Sequence, residues 1–213
     1  MDDRRRNSLT GMNYFFKYRA LSEALYDALT EDVFYVAMES SVSGGSNQRR
    51  EAMLRYYDYS MREAREHGTL YRYQPNGKAV GASIWSKPVY GRLSRQMADE
   101  KKAFLRVHLG DASLDRYAQI TGGMAAQTAI IVPPGSWYLS IIGIAPAFQG
   151  QGLGGRLIRP ILEKTDTLGC HTYLETFTPQ NMRFYRRLGF QIADAFNAPG
   201  SNTRYWVMIR DPS

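Results

Sequence analysis

The residues best suited to chemistry form a glycine-rich turn, Gln149-Gly-Gln-Gly-Leu-Gly-Gly155, which follows an apolar stretch that ends at Pro146. Glycine lets a backbone take positive φ and approach a ligand closely. A helical pattern continues from Arg156 to Leu168, and a helix N-terminus presents free N–H groups and the positive end of its dipole. The turn therefore predicts a cradle for an anion, such as the pyrophosphate of a cofactor.

The turn has two further interpretations. Gly150, Gly152 and Gly155 match the Gly-x-Gly-x-x-Gly pattern of dinucleotide-binding folds, and Glu175 lies about twenty residues further on, where such folds place a ribose-binding acid. However, the turn comes late, and too little chain follows to build the second half of such a fold. No Gly-Lys-Ser/Thr ends the turn, which excludes a Walker loop. The second interpretation, a glycine turn with a purely structural role, remains as an alternative.

The composition indicates one soluble domain. The chain has 213 residues, of which 44% are hydrophobic and 22% charged, and no run approaches the ~18 apolar residues of a membrane helix. Residues 1–11 carry basic side chains without an apolar segment, which predicts a disordered tail before a single domain over 12–213. The one cysteine, Cys170, allows no internal disulfide, and we expect a cytoplasmic location.

The distribution of charged residues and histidines limits which ligands and partners we expect. The net charge is +7, but no Lys/Arg-rich run occurs beyond the tail, so we do not expect a nucleic-acid partner. The three histidines have no spacing typical of metal ligands, so we expect no metal.

The rest of the chain alternates strand-like and helix-like patterns. Strands are predicted at 13–19, 69–73, 78–85, 137–144, 171–177, 190–196 and 204–209, and helices at 22–29, 47–66, 92–109, 114–126, 156–168 and 179–188. Asn76-Gly77 predicts a hairpin between the second and third strands. Residues 32–46 form no clear element. The fold class is therefore α+β.

Three segments occur in a distinctive order: the strand Leu139-Ser-Ile-Ile-Gly-Ile-Ala-Pro146, the glycine turn, and Asn181-Met-Arg-Phe-Tyr185-Arg-Arg-Leu-Gly189-Phe190. Together they resemble the GNAT superfamily of acyl-CoA-dependent N-acyltransferases, over residues 12–213. Residues 174–190 and 80–88 are most similar to puromycin N-acetyltransferase-like members. The resemblance implies a central mixed, mostly antiparallel twisted sheet flanked by helices, with a two-helix insertion before the central strand.

The resemblance also implies acetyl-CoA as co-substrate and assigns it a site. Backbone groups of Ile142, Gly143 and Ile144 would pair with the pantetheine arm, and Asn181 would hydrogen-bond to that arm. The pyrophosphate would be held by the N–H groups of Gln149, Gly150, Gln151, Gly152, Leu153, Gly154, Gly155 and Arg156. Arg156, Arg186 and Arg187 either meet phosphates or remain in solvent.

Two side chains are candidates for proton transfer. Tyr185 would protonate the departing thiolate, since the pKa of a phenol, ~10, is near that of a thiol; the alternative is that it only packs. Glu175 is a base or orients a water, unless nearby backbone groups satisfy its carboxylate.

The implied reaction is direct attack of a primary amine of a small molecule on acetyl-CoA in a ternary complex. The acceptor candidates are Phe34, Tyr35, Glu39 and Trp85, together with Tyr56 and the inserted helices, while Glu31, Asp32 and Glu39 are charges that would attract a cationic amine. A non-catalytic acyl-CoA-binding module and a dinucleotide binder are the alternatives. The sequence leaves the oligomeric state open, with a homodimer as one alternative.

Overall fold

A six-stranded sheet organises the chain. The computed structural model describes residues 14–200 and 202–213, so the predicted tail lies outside the described residues. The strands are β1 Thr69–Tyr73, β2 Gly81–Ser86, β3 Trp137–Ile144, β4 Thr172–Thr176, β5 Gln191–Asn197 and β6 Arg204–Arg210. Their order is β1-β2-β3-β4-β6-β5. The β3–β4 pair is parallel, while the other neighbours are antiparallel.

The described chain also contains seven α-helices. They are α1 Arg19–Ala28, α2 Val33–Ser40, α3 Ser46–His67, α4 Gly91–His108, α5 Asp111–Ile131, α6 Leu153–Thr167 and α7 Pro179–Arg186. The predicted α+β class, mixed sheet and two-helix insertion (α4 and α5) are confirmed. A dinucleotide fold requires a mostly parallel sheet, so that alternative is wrong.

Apolar packing places the helices on the two faces of the sheet. Leu25, Met61 and Ile84 belong to a core in which α1 and α3 pack on one face. Leu139, Ile158 and Leu174 belong to a second core, where α6 covers the other face. The sheet therefore has two distinct faces, which we call the α1/α3 side and the α6 side.

The prediction of a strand from residue 13 to 19 is wrong for the described part, because Asp58 holds this segment in another conformation. The buried Asp58 carboxylate accepts hydrogen bonds from the Tyr14 hydroxyl (2.8 Å) and from the backbone N–H groups of Lys17 (2.9 Å) and Tyr18 (2.6 Å). The aromatic residues pack on side chains rather than on a neighbouring strand: the Tyr14 ring lies 4.9 Å from that of Phe16.

Local interactions explain one helix that the sequence pattern missed and another that it ended too early. The α2 helix, which the sequence pattern did not reveal, is capped by the Asp32 carboxylate, which accepts a hydrogen bond from the Phe34 N–H at 3.0 Å. The α5 helix continues past the predicted end at residue 126 and through Gly122 and Gly123. A Cβ at Gly123 would lie 2.2 Å from Pro199 Cγ, so this glycine permits close packing rather than ending the helix.

Candidate active site

The sheet opens between β3 and β4. These strands pair only from Trp137 to Leu139. Immediately beyond, Ser140 is skipped in the register with β2, because Trp85 pairs with Leu139 and Ile84 with Ile141. This is a β-bulge, a feature that bends a strand and redirects its side chains. Residues 142–144 therefore keep β2 on one edge and leave backbone groups on the β4 side without a described strand partner.

The glycine turn forms an open cradle at the end of β3. Gln149 Nε2 donates to the carbonyl oxygen of Ile144 at 2.9 Å, which ties the turn to the strand. Gly150 and Gly152 have φ of +76° and +72°, and a Cβ at either would have no atom within 4 Å. These positions thus require glycine for their backbone conformation, and the space beside them can receive a ligand.

The α6 helix directs its N-terminus at this space. It begins at Leu153, three residues before the predicted start, and no side chain caps it. Its first N–H groups are therefore available to an anion. Ser83 Oγ donates to the Leu157 carbonyl oxygen at 2.7 Å and anchors the helix to β2. The turn, the uncapped helix and the free edge of β3 fit the pyrophosphate and pantetheine of acetyl-CoA.

The neighbouring side chains are arranged around the same helix. Arg156 is close to Tyr73 on β1, with 3.5 Å between its Nη1 and the tyrosine hydroxyl. A Cβ at Gly154 would lie 3.0 Å from Phe184 Cζ, so this glycine lets α6 approach α7. Gln151 and Asn181 are exposed, as are Arg186 and Arg187.

Tyr185 lies on α7 and is buried. Its ring packs 5.1 Å from the Phe184 ring and 6.1 Å from the Phe190 ring. Burial raises its pKa, and the negative charge of Asp32 adds to this effect. The hydroxyl thus keeps its proton throughout the neutral range, and its pKa lies further above that of a thiol than the ordinary phenol value used in the sequence argument.

A cavity of about 660 Å³ reaches the opening of the sheet from the α1/α3 side. It is bounded by α2, α3, α4 and α5 and by the three central strands β2, β3 and β4. Ser140 and Ile141 at the bulge of β3 contribute to its wall, as does Glu175 near the end of β4. Its size is typical of a small-molecule site.

Glu175 is a titratable side chain in the wall of the cavity, close to the opening between β3 and β4. Tyr138 donates a hydrogen bond from its hydroxyl to Glu175 Oε2 at 2.8 Å, and its ring stacks on that of Tyr173 at 4.7 Å. Burial raises the pKa of Glu175 to about 7, although the hydrogen bond from Tyr138 lowers it. A carboxyl group with a pKa near neutrality is suited to accept a proton at physiological pH.

Comparison with known proteins identifies the family of this chain. Residues 34–190 match the model of the Acetyltransferase (GNAT) family. The chain belongs to the GNAT acetyltransferase family. It is 33% identical over 79 residues to an uncharacterized N-acetyltransferase of Schizosaccharomyces pombe, a match that covers 36% of this chain and 32% of the relative. The chain thus spans about a third of the length of that curated relative.

Solved structures show the same fold at low identity. A Corynebacterium glutamicum structure described as histone acetyltransferase HPA2 and related acetyltransferase has a TM-score of 0.58 and 17% identity, with 91% of this chain and 90% of the other covered. Arylalkylamine N-acetyltransferase 2 from Aedes aegypti has a TM-score of 0.59 and 11% identity, with 94% and 99% covered. These likenesses support the GNAT fold.

The GNAT cavity includes some of the predicted acceptor residues but not all. Phe34, Tyr35 and Tyr56 line it. Trp85 borders it, yet its indole is fully buried in the core on the α6 side and donates to Ser83 Oγ at 3.1 Å. Glu39 lies outside its wall and accepts a hydrogen bond from the Tyr26 hydroxyl at 2.8 Å. We therefore place neither Trp85 nor Glu39 in the proposed acceptor site.

Sequence reasoning missed Tyr138 and Tyr173. Both lie in strands whose side chains alternate between faces, at the same face as Glu175. The pattern Tyr138-Leu-Ser140 on β3 and Tyr173-Leu-Glu175 on β4 contains this signal, because alternate residues share a face. In the described chain, no three His, Cys, Asp or Glu side chains are grouped to hold a metal, and no helix is long and apolar enough to cross a membrane.

Proposed function

We propose that this GNAT chain transfers an acetyl group from acetyl-CoA to a primary amine of a small molecule by direct attack within a ternary complex. The main support for this proposal is the position of Glu175. This side chain borders the cavity proposed for the acceptor, beside the opening between β3 and β4. The cavity lies on the α1/α3 side of the sheet, whereas the glycine turn lies between β3 and α6. The amine and acetyl-CoA would therefore reach the opening from different directions.

Different residues of the chain would bind different parts of acetyl-CoA. Backbone groups of Ile142, Gly143 and Ile144 would hold the pantetheine arm as an added strand, and an N–H at Ile142 or Ile144 would polarise the thioester carbonyl. The N–H groups of residues 149–156 would hold the pyrophosphate. Asn181, exposed at the start of α7, would hydrogen-bond to the pantetheine arm.

Proton transfer would use Glu175 and Tyr185. As the bond between the amine nitrogen and the acetyl carbon forms, Glu175 accepts a proton from the nitrogen. As the carbon–sulfur bond breaks, Tyr185 donates its proton to the sulfur. Both side chains regain their starting states by exchange with solvent, and the products are the N-acetyl amine and the CoA thiol. No covalent bond to the enzyme is needed.

Further expectations rest on the resemblance of residues 80–88 and 174–190 to puromycin N-acetyltransferase-like members. We extend to this chain their type of small amine acceptor, without fixing puromycin as the acceptor. We also propose a single catalytic domain over residues 12–213 and a cytoplasmic location. Size measurement in solution would test the homodimer option.

Tyr185→Phe is expected to lower kcat by about 10- to 100-fold, because it removes the proton donor and keeps the buried ring. The Kd for CoA should change by less than about threefold. Steady-state kinetics and calorimetric titration measure the two quantities. Small and equal effects on both would limit Tyr185 to packing. Tyr90→Phe, at an exposed site outside the cavity, is the matched control.

Tyr138→Phe is expected to shift the acid limb of the kcat–pH profile upward by about one pH unit. The lost hydrogen bond stabilises the ionised carboxylate, so its removal raises the pKa of Glu175 above about 7. Tyr173→Phe is the control, since Tyr173 stacks on the same ring and is not the hydrogen-bond donor. An unmoved acid limb in Tyr138→Phe would argue against Glu175 as the base.

A further inference from the structure

We propose that Ser83 is a positioning residue for the cofactor: its buried hydrogen bond holds the first turns of α6 so that their free N–H groups face the pyrophosphate of acetyl-CoA. This inference rests on the proposed function and adds a residue to its binding machinery. It follows from the interruption of α6 by Pro160, from the hydrogen bonds of Ser83, and from the place of Ser83 in the sheet.

Pro160 interrupts the hydrogen bonds of α6. The helix begins at Leu153, and Pro160 lies at its middle. Proline has no backbone N–H, so the carbonyl oxygen of Arg156 lacks the intrahelical donor that another residue at position 160 would supply. The turn with the free N–H groups is therefore joined to the rest of the helix by fewer hydrogen bonds. Its orientation depends more strongly on contacts from outside the helix.

Ser83 supplies such a contact from the sheet. Its side chain is fully buried, and its hydroxyl donates to the carbonyl oxygen of Leu157 at 2.7 Å. Leu157 directly follows Arg156, so this bond reaches α6 at the turn that Pro160 weakens. Within the described chain, no other side chain from outside α6 donates to a backbone carbonyl of this helix.

Trp85 sets the direction of the Ser83 hydroxyl. An indole nitrogen can only donate, and that of Trp85 donates to Ser83 Oγ at 3.1 Å. Ser83 Oγ thus accepts on one side, and its single proton is directed to the Leu157 carbonyl oxygen on the other. Both side chains are fully buried, so water does not replace either bond when one is lost.

The strand register connects Ser83 to the other half of the cofactor site. Ser83 pairs with Ile142 of β3, one of the residues whose backbone would hold the pantetheine arm. One residue of β2 therefore lies beside the proposed pantetheine strand and is bonded to the helix proposed for the pyrophosphate. This arrangement orders the two halves before the cofactor arrives, which lowers the entropic cost of binding.

Ser83→Ala tests the role of this bond, because it removes the hydroxyl and nearly keeps the buried volume. We expect the Kd for CoA to rise about 10-fold, as measured by titration calorimetry. The Kd for pantetheine, which has no phosphate, should stay within about twofold in a titration followed by nuclear magnetic resonance. Equal losses for both ligands, or no loss for CoA, would overturn the inference. If the wild type does not bind CoA, the proposed function itself fails.

Thr165→Val is the matched control on the same helix. The Thr165 hydroxyl is also fully buried and donates to a carbonyl oxygen of α6, that of Leu162, at 2.9 Å. It lies beyond Pro160, so its removal should lower stability and leave the Kd for CoA within about twofold of wild type. A rise as large as that in Ser83→Ala would mean that any weakening of α6 reduces binding, which would contradict a positioning role of Ser83.

Amide hydrogen exchange measures the order of the first turns without a ligand. In Ser83→Ala we expect exchange at positions 157–159 to be at least about fivefold faster, with exchange at 162–165 within about twofold of wild type. Uniformly faster exchange along α6 would contradict the local role of Ser83. If Ser83→Ala does not fold, Ser83→Cys gives the same test with a thiol, which is a weak donor. An unchanged Kd for CoA in that variant would overturn the inference.

Pro160→Ala tests why Ser83 is needed. Alanine restores the missing N–H and favours the helix, so the first turns would be held from within α6. We expect Ser83→Ala to raise the Kd for CoA by no more than about threefold in this background, against about 10-fold in the wild-type background. The same rise in both backgrounds would show that the interruption at Pro160 is not the reason, and the proposal would be overturned.

Discussion

Glu175→Gln is expected to lower kcat by at least 100-fold, because glutamine keeps the shape of the side chain and cannot accept the proton of the amine. General-base groups typically contribute about 10²–10⁴-fold. The wild-type kcat should rise with pH through about 7, where the Glu175 carboxyl loses its proton. The variant should lose this limb of the profile. A fall of less than about threefold, with the limb intact, would remove Glu175 from the reaction.

The stability of the same variant separates lost chemistry from lost structure. The pKa of Glu175 in the folded chain, about 7, lies above its ordinary value of 4.5. Between these values the folded state binds more protons than the unfolded state, so the free energy of unfolding falls as pH rises through this window. The fall is at most about 3 kcal/mol. Glu175→Gln should not show it and should unfold at a higher temperature than wild type above pH 7.

Gly150→Asp is expected to raise the Kd for CoA by about 100-fold. Asp tolerates the positive φ of this position better than most residues, and a Cβ there has no atom within 4 Å. The new carboxylate would stand in the proposed pyrophosphate cradle. Two like charges about 5 Å apart repel by ~3 kcal/mol at an effective dielectric constant of about 20. Titration calorimetry with CoA measures the change.

Two matched variants isolate the charge from the backbone. Gly150→Asn has nearly the same shape without charge, and its Kd should stay within about fivefold of wild type. Gly135→Asp places the same carboxylate at another glycine with positive φ and open space, in the turn before β3. It should leave CoA binding unchanged. Equal losses in the Asp and Asn variants at position 150 would mean that the turn is only structural.

Much of the fold could be predicted because local patterns decide it. The bounds of β3, Trp137–Ile144, agree with the sequence pattern, since a β-branched apolar run ends at a proline. The glycine turn and α7 follow for similar reasons. The start of α1 could not be predicted in this way, because Asp58, about forty residues further on, holds the preceding segment.

The open glycine turn proposed for the cofactor could be predicted from the sequence, whereas the cavity proposed for the acceptor could be predicted much less well. The cradle is a contiguous segment whose positive-φ glycines are visible in the sequence. The cavity proposed for the acceptor gathers residues from seven elements, and the partners of each charge decide its role. Glu63 and Asp32 are equally acidic in sequence, but Lys101 pairs with Glu63 alone. The bulge at Ser140, which opens the sheet, also depends on the register with β2.

The most direct measurement is thiol release from acetyl-CoA with an amine, combined with mass spectrometry of the products. From the proposed function we expect one N-acetylated amine for each CoA thiol, a rate that saturates in both substrates, and loss of this rate in Glu175→Gln. CoA binding without amine-dependent thiol release from any primary amine would contradict the account and leave a non-catalytic acyl-CoA-binding module.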